Sequence, residues 1–320
     1  MLHYDSSQTA SALNFPKLIT ALENMFAEGC EVPLRHNHAI SDTAGRKNGT
    51  LLLMPAWQPE KWLGVKTVSV FPDNTQYGLP GLHSVYILYS ARTGKPEAIF
   101  DGNIITSYRT AAASALAARF LSRADSKTLL IVGAGRVAEC LADAYLSVRP
   151  IERFMVWNRN SEKAQTLAAQ LRAKGLNATA AADLETAARQ ADIISCATLS
   201  ASPLIFRRWL KPGTHLDLIG SFAPDMRETD DACFADTRVF IDTEEALLKA
   251  GDLLSPIAAG IFRAENVCAT LADLCRMKHG GRSRPEEITV FKSVGSALED
   301  LAAAILAYER LNAESAPKAV

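Results

Sequence analysis

Between Thr128 and Asn160 the chain runs TLLIVGAGRVAECLADAYLSVRPIERFMVWNRN, an apolar run, a glycine turn, a helical run and a second apolar run in succession. Leu129 to Val132 suits a strand buried on both faces of a parallel sheet. Gly133, Gly135 and Ala138 then fill a G-x-G-x-x-G/A pattern. Gly133 permits a tight turn, Gly135 lets a pyrophosphate approach the backbone, and Ala138 keeps the following helix close to the sheet. Ala134, Arg136 and Val137 complete the loop, where a helix N-terminus offers free N–H groups to the phosphates. The stretch therefore reads as the first βαβ unit of a dinucleotide-binding fold.

The residues after the second strand bear on which dinucleotide. An acid there would bind a ribose 2′-OH and repel a 2′-phosphate. Asn158 and Arg159 stand in its place. A guanidinium offers a planar fork of donors to a 2′-phosphate, which favours NADPH; an arginine laid over the adenine would accept NADH as well.

The rest of the composition narrows the class. With 48% hydrophobic and 22% charged residues, the 320-residue chain reads as an ordinary globular protein long enough for two domains. A formal net charge of -1 gives no reason to expect nucleic acid or an anionic membrane as partner. No run is long enough to span a bilayer, and MLHYDSSQTA lacks the basic and apolar regions of a signal peptide. Cys30, Cys140, Cys196, Cys233, Cys268 and Cys275 are scattered with no C-x-x-C pair, so neither a metal site nor a disulfide framework is expected, and a reducing cytoplasm is the default compartment.

Two textures alternate along the chain. From about Lys127 to Asp242, strand-like runs (Asp192 to Ala197, Thr214 to Ile219, Arg238 to Ile241) alternate with helical runs (Glu162 to Lys174, Leu184 to Gln190), which predicts a doubly wound parallel sheet. The N-terminal part has an amphipathic helix around Phe15 to Ala27. Strand-like segments follow at Thr50 to Pro55, Trp62 to Phe71 and Ser84 to Tyr89, separated by turns and close enough to pair antiparallel. A long alanine-rich helix, Ile104 to Arg123, leads into the alternating region, and a C-terminal helix, Val294 to Leu311, is long enough to return to the first domain. The expected architecture is an α/β chain in which a Rossmann-type domain (121–287) is inserted into a discontinuous α+β substrate domain (1–120 with 288–320). The terminal ESAPKAV reads as disordered.

Outside the nucleotide fold, Arg35, Lys66 and Arg109 are cations that could hold a substrate carboxylate. Arg35 lies in a polar loop, PLRHNHA. Lys66 lies in the strand GVKTVSV, where a lysine normally alternates outward, and Arg109 opens the small-residue run RTAAASALAA. Taken singly, each is as readily a solvated charge or an ion-pair partner. His83 could donate a proton or cap a turn. Asp217 and Asp225 flank a strand end, where ligands bind in such folds, although Asp225 could simply begin a solvated turn.

Several segments together resemble the ornithine cyclodeaminase/μ-crystallin family: GVKTVSVFP, TGKPEAIFDG, SYRTAAASALAARFL, IVGAGRVAE, HLDLIGSFAPDMRE and TVFKSVGSALEDLAAA. The resemblance implies a homodimer, with a substrate site between a nucleotide domain and a β-rich dimerisation domain. It implies that Arg35, Lys66 and Arg109 hold the substrate carboxylate, and that Thr110, Ala197, Thr198, Leu199 and Ser293 contact the cofactor. Members that cyclise ornithine carry an aspartate in a G-G-D-C-P-like stretch; here Phe222 takes its place, in Gly220 to Pro224. An aromatic ring cannot engage a diamine and better suits a hydrocarbon ring, so cyclodeaminase activity is disfavoured. VWNRN, CATLSASPL and HLDLIGSFAPDMRE resemble most the bacterial Δ1-pyrroline-2-carboxylate reductase branch.

The expected activity is NAD(P)H-dependent reduction of cyclic α-imino acids: Δ1-pyrroline-2-carboxylate to proline, and Δ1-piperideine-2-carboxylate to pipecolate. Arg35 and Arg109 would clamp the carboxylate, with Lys66 in support, and Phe222 and His83 would belong to the substrate pocket. The imine proton could come from solvent, Lys66 or His83. Alternatives are an open-chain ketimine reductase, an alanine dehydrogenase-like enzyme, or a μ-crystallin-like binder of NADPH and a small ligand.

Overall fold

The computed structural model describes residues 1–315. The chain divides into two compact units, Met1–Arg109 with Ser296–Val320, and Thr110–Gly295. The breaks therefore fall at 109/110 and 295/296 rather than at the 120/121 and 287/288 read from the sequence. Helix Gly102–Leu121 runs unbroken through the first break, so no turn residue marks it. At the second, Thr289–Lys292 is a strand of the nucleotide unit's sheet, which carries the boundary past it.

In the first unit, helix Phe15–Glu28 is capped by Asn14, has proline in its first turn, and ends at Gly29 with φ 85°. Leu18 and Leu22 on its inner face are fully buried, each contributing about 1.5–3 kcal/mol. Six strands form one sheet: β1 (Leu2–His3), β2 (His36–Ser41), β3 (Lys47–Trp57), β4 (Trp62–Val70), β5 (Leu82–Ser90) and β6 (Pro96–Asp101). Their order is β1-β6-β5-β4-β3-β2, antiparallel except for the β1–β6 pair. Two of these, β2 and β6, arise from stretches the sequence presents as loop and turn; β2 begins immediately after Arg35. Met54, Lys66, Tyr86 and Phe100 are in register across four strands and share a buried face, on which helix Ala297–Ser315 packs. Glu314 and Ser315, expected to be disordered, belong to that helix; the remainder of ESAPKAV lies outside the described residues.

The second unit contains β7 (Thr128–Val132), β8 (Arg153–Trp157), β9 (Ala178–Ala180), β10 (Ile193–Cys196), β11 (Ala201–Ile205), β12 (His215–Leu218), β13 (Arg227–Thr229), β14 (Arg238–Ile241), β15 (Val267–Thr270) and β16 (Thr289–Lys292). Eight of them make a wholly parallel sheet of order β9-β8-β7-β10-β12-β16-β14-β15, and β11 with β13 pairs separately. Strand order reverses between β7 and β10, and the crevice beyond the carboxyl ends of the strands at such a point is where this topology takes its ligand. Leu130, Val132, Ile194, Cys196, Leu216, Leu218 and Val290 fill the sheet's core. Asp217 is inside that core and not at its mouth. It accepts hydrogen bonds from Ser114, Ser195 and Tyr145. Burial pushes its pKa up to about 6 against the pull of those donors. Its role is to tie helices Gly102–Leu121 and Arg136–Leu146 to the sheet, while Asp225 is exposed in a turn.

Candidate active site

Lys66 does not alternate outward. Its register partners are Met54 and Tyr86, and it is 2% exposed on the buried face. A lone buried ammonium would be costly, and this one has partners. Nζ lies 2.7 Å from Asp300 Oδ2 and donates to Thr106 Oγ1 at 3.2 Å. Asp300 also takes Arg109, whose Nε is 2.9 Å from Oδ1, while Arg109 Nη1 reaches Glu299 Oε2 at 2.6 Å. Two adjacent acids in the first turn of helix Ala297–Ser315 thus clasp two cations supplied by a strand and a helix.

The electrostatics follow from this geometry. Burial pulls the Lys66 ammonium down to about 8 against the attraction of Asp300, with Arg109 and Arg35 pushing the same way as burial. Burial opposes ionisation of Asp300, yet Lys66 and Arg109 together hold it below the usual carboxylate range. Arg109 is likewise opposed by burial and held above its ordinary value by Asp300 and Glu299. The lysine yields because it shares one carboxylate with a guanidinium that cannot release its proton. Arg35 is partly buried, and its charge also disfavours the Lys66 ammonium. His83 is not part of this cluster. It pairs with Ser69, an odd number of residues from Tyr86 on β5, and is exposed on the opposite face of the sheet.

In the second unit Gly133 turns the chain with φ 116°, and an added Cβ would stand 2.6 Å from the Ala197 carbonyl. Nothing lies within 4 Å of a Cβ added to Gly135, and no side chain caps the helix Arg136–Leu146 that starts there. Open space before unfilled helix-terminal amides is what a pyrophosphate requires. Ala134 and Gly135 also line a cavity of about 670 Å³ with Asn158, Arg159, Asn160, Ser161, Glu162 and Lys163. Arg159 is exposed there, whereas Asn158 turns its amide onto the Asn160 carbonyl at 3.0 Å. Arg136 is exposed and Val137 half-buried at the helix start. Ala197, Thr198 and Leu199 follow β10, with Leu199 75% exposed. Ser293 follows β16 and donates its N–H to the Leu218 carbonyl, and Thr110 is buried in helix Gly102–Leu121. The residues thus suit a nicotinamide dinucleotide.

The model of the ornithine cyclodeaminase/mu-crystallin family matches residues 5–315. The chain belongs to this family. A Δ1-pyrroline-2-carboxylate reductase of Paracoccus denitrificans is 43% identical, covering 84% of this chain and 87% of that protein. Among solved structures, the Thermococcus litoralis Δ1-pyrroline-2-carboxylate reductase in complex with NADH and L-proline is 33% identical, with a TM-score of 0.91 and 100% of both chains covered. An archaeal alanine dehydrogenase dimer with bound NAD is 26% identical, with a TM-score of 0.90, covering 100% of this chain and 98% of that one.

For a member of this family, the sequence motifs pointed to the cations and to the nucleotide loop. They did not point to Glu299 and Asp300, which were in plain view within FKSVGSALEDLAAA. Acids in a first helical turn are ordinarily read as partners of the helix dipole. The usable signal was their position inside an otherwise alanine- and leucine-rich buried helix. Phe222 follows β12 and is 43% exposed, an apolar surface at the carboxyl end of the sheet. Among the described residues no cluster of three or more His, Cys, Asp or Glu side chains could hold a metal, and no helix is long and apolar enough to cross a membrane.

Proposed function

We propose that this chain is an NAD(P)H-dependent reductase of cyclic α-imino acids, taking Δ1-pyrroline-2-carboxylate to proline and Δ1-piperideine-2-carboxylate to pipecolate. The buried Lys66–Asp300–Arg109–Glu299 cluster, with Arg35 beside it, carries the reading. Three cations gathered on one unit suit a substrate that carries a carboxylate. Arg35 and Arg109 clamp that carboxylate and Lys66 supports them. Phe222 stands where the family's diamine-cyclising members carry an acid, which argues against a charged diamine as substrate.

Gly133, Ala134, Gly135 and Arg159 would hold the reduced nicotinamide dinucleotide, which would supply the hydride for reduction of the C=N bond at C2. The imine nitrogen must carry a proton for C2 to accept it. Of the sources open to the sequence, Lys66 fits best: at about 8 it is mostly protonated near neutrality yet gives up its proton more easily than an ordinary lysine. His83 faces away from the cluster.

Arg159, with Lys163 in the same cavity, supports a preference for NADPH with NADH accepted as well. The sheet face opposite Lys66 supports a homodimer. Leu51, Leu53, Val65, Ile87 and Ile99 are half-buried there, and Val85 is 44% exposed. Light scattering giving a monomer mass would refute the dimer. The free cysteines suit a reducing cytoplasm.

The direct test follows NADPH oxidation with Δ1-pyrroline-2-carboxylate, with Δ1-piperideine-2-carboxylate, and with pyruvate plus ammonia. Turnover of the cyclic imines alone is expected. Silence on both imines, with saturable NADPH binding, would sink the assignment and favour an open-chain substrate or a binding role.

A further inference from the structure

One buried carboxylate in the second unit has no part in the chemistry above. Glu228, on β13, is fully buried. Oε1 accepts from the Thr198 N–H at 2.7 Å and from Thr198 Oγ1 at 2.8 Å; Oε2 accepts from the Gly220 N–H at 2.7 Å. Thr198 follows β10 and Gly220 follows β12, neighbouring strands whose carboxyl ends border the cofactor crevice. The three segments are packed without slack. A Cβ on Gly220 would stand 1.9 Å from the Thr198 carbonyl and 2.4 Å from Glu228 Oε1, and the fingerprint glycine Gly133 leans on Ala197.

Other charges hold Glu228 itself in place. Its own N–H donates to Asp252 Oδ1 at 2.9 Å. Lys292 of β16, Asp252 of helix Gly251–Ala258 and Cys196 of β10 face its carboxyl group. Lys292 Nζ also donates to the Leu218 carbonyl at 2.9 Å, just before the Gly220 loop.

We propose that Glu228 is a positioning residue for the cofactor: its ionised carboxylate fastens the Thr198 and Gly220 loops together in the shape that receives the dinucleotide. The inference rests on the nucleotide-binding reading of this unit. Two of its three partners are backbone N–H groups that can only donate, and the carboxylate serves all three at once. A proton on Oε2 meets the Gly220 N–H, where an acceptor is needed, and a proton on Oε1 reaches an acceptor only if the Thr198 hydroxyl turns its own hydrogen away. Burial raises the Glu228 pKa to about 7, against the pull of Lys292, so the tie loosens as pH falls through neutrality.

The test is equilibrium NADH binding to the full-length protein between about pH 6 and pH 8.5; NADH lacks the 2′-phosphate, which titrates near pH 6. Wild-type Kd should be flat well above about pH 7 and rise below it, by about fivefold at pH 6 on the way to a plateau near tenfold. Glu228→Gln places an NH₂ against a donor; it should bind about tenfold more weakly at high pH and lose the acidic limb. Asp217→Asn alters an equally buried carboxylate that touches neither loop, so it should lower Tm and keep the limb. A flat wild-type Kd overturns the proposal even if Glu228→Gln fails to fold. So does a Glu228→Gln protein that keeps the limb. Failure of the wild type to bind either NADH or NADPH would instead remove the nucleotide reading, and this inference with it.

Discussion

Replacing Asp300 by asparagine would remove the negative charge 2.7 Å from Lys66 Nζ at nearly constant volume. With its pKa at about 8, Lys66 is roughly ten parts protonated to one neutral at pH 7. Losing an opposite charge at this range lowers a lysine by about one to three pH units. A drop of about two takes Lys66 to about 6 and inverts the ratio at pH 7 to about one to ten. Arg109 keeps its bond to Glu299 at 2.6 Å, so one cation of the clamp stays anchored.

The sign of the pH dependence is fixed by which form is active. A protonated Lys66 is present below its pKa and lost as pH rises through it. Wild-type kcat/KM should therefore decline above about pH 8, and that of Asp300→Asn above about pH 6. At pH 7 the variant loses about tenfold from protonation alone, and the deficit shrinks as pH is lowered. The assay is kcat/KM for Δ1-pyrroline-2-carboxylate across pH at saturating NADPH, with Tm and cofactor Kd as controls. The imine titrates on its own account, but identically for both proteins, so it cancels from their ratio. A ratio independent of pH would refute the assignment of Lys66, whatever its size.

Arg109→Ala should raise KM for the imino acid about 10- to 100-fold with NADPH Kd unchanged, as expected for loss of a charge-assisted contact; unchanged steady-state kinetics would remove Arg109 from the clamp. Arg159→Ala should weaken NADPH about tenfold and leave NADH within about twofold, a difference read from the two Kd values. Two glycine variants separate fold from site. Gly133→Ala forces a side chain onto a φ of 116° and against the Ala197 carbonyl, costing about 1–3 kcal/mol or more in a melt. Gly135→Ala meets nothing within 4 Å and should melt like wild type, yet lose dinucleotide affinity because its methyl occupies the phosphate's approach; unimpaired binding would refute that placement.

The nucleotide unit was legible because its signals are local. A buried parallel strand is a continuous apolar run, and the turn after it admits only glycine at Gly133, so Thr128–Val132 and Arg136–Leu146 could be read within a few residues of one another. The strands that escaped notice owe their structure to neighbours. Thr289–Lys292 enters the sheet between β12 and β14 from nearly fifty residues beyond β14, and its lysine gives a strand no apolar signature. His36–Ser41 is polar along most of its length and is a strand because β3 offers it an edge to pair with.

The same distinction separates the site residues that could be read from those that could not. Lys66 and Arg109 were conspicuous as cations among apolar or small residues and Arg35 stood in a polar loop, but nothing in their spacing brought the three together; the resemblance did. What joins Lys66 to Arg109 is a carboxylate 191 positions from Arg109 along the chain. Two buried cations close together require buried anions, because desolvated charges left unpaired cost several kcal/mol each. The search that requirement dictates is for acids on a face with no exposed neighbours. In this chain it leads to Glu299–Asp300, buried with Leu298, Leu301 and Ala302 around them. Applied to the other unit, it leads to Asp217, Glu228, Asp242 and Asp252, buried acids whose hydrogen bonds fasten loops and helices to one another.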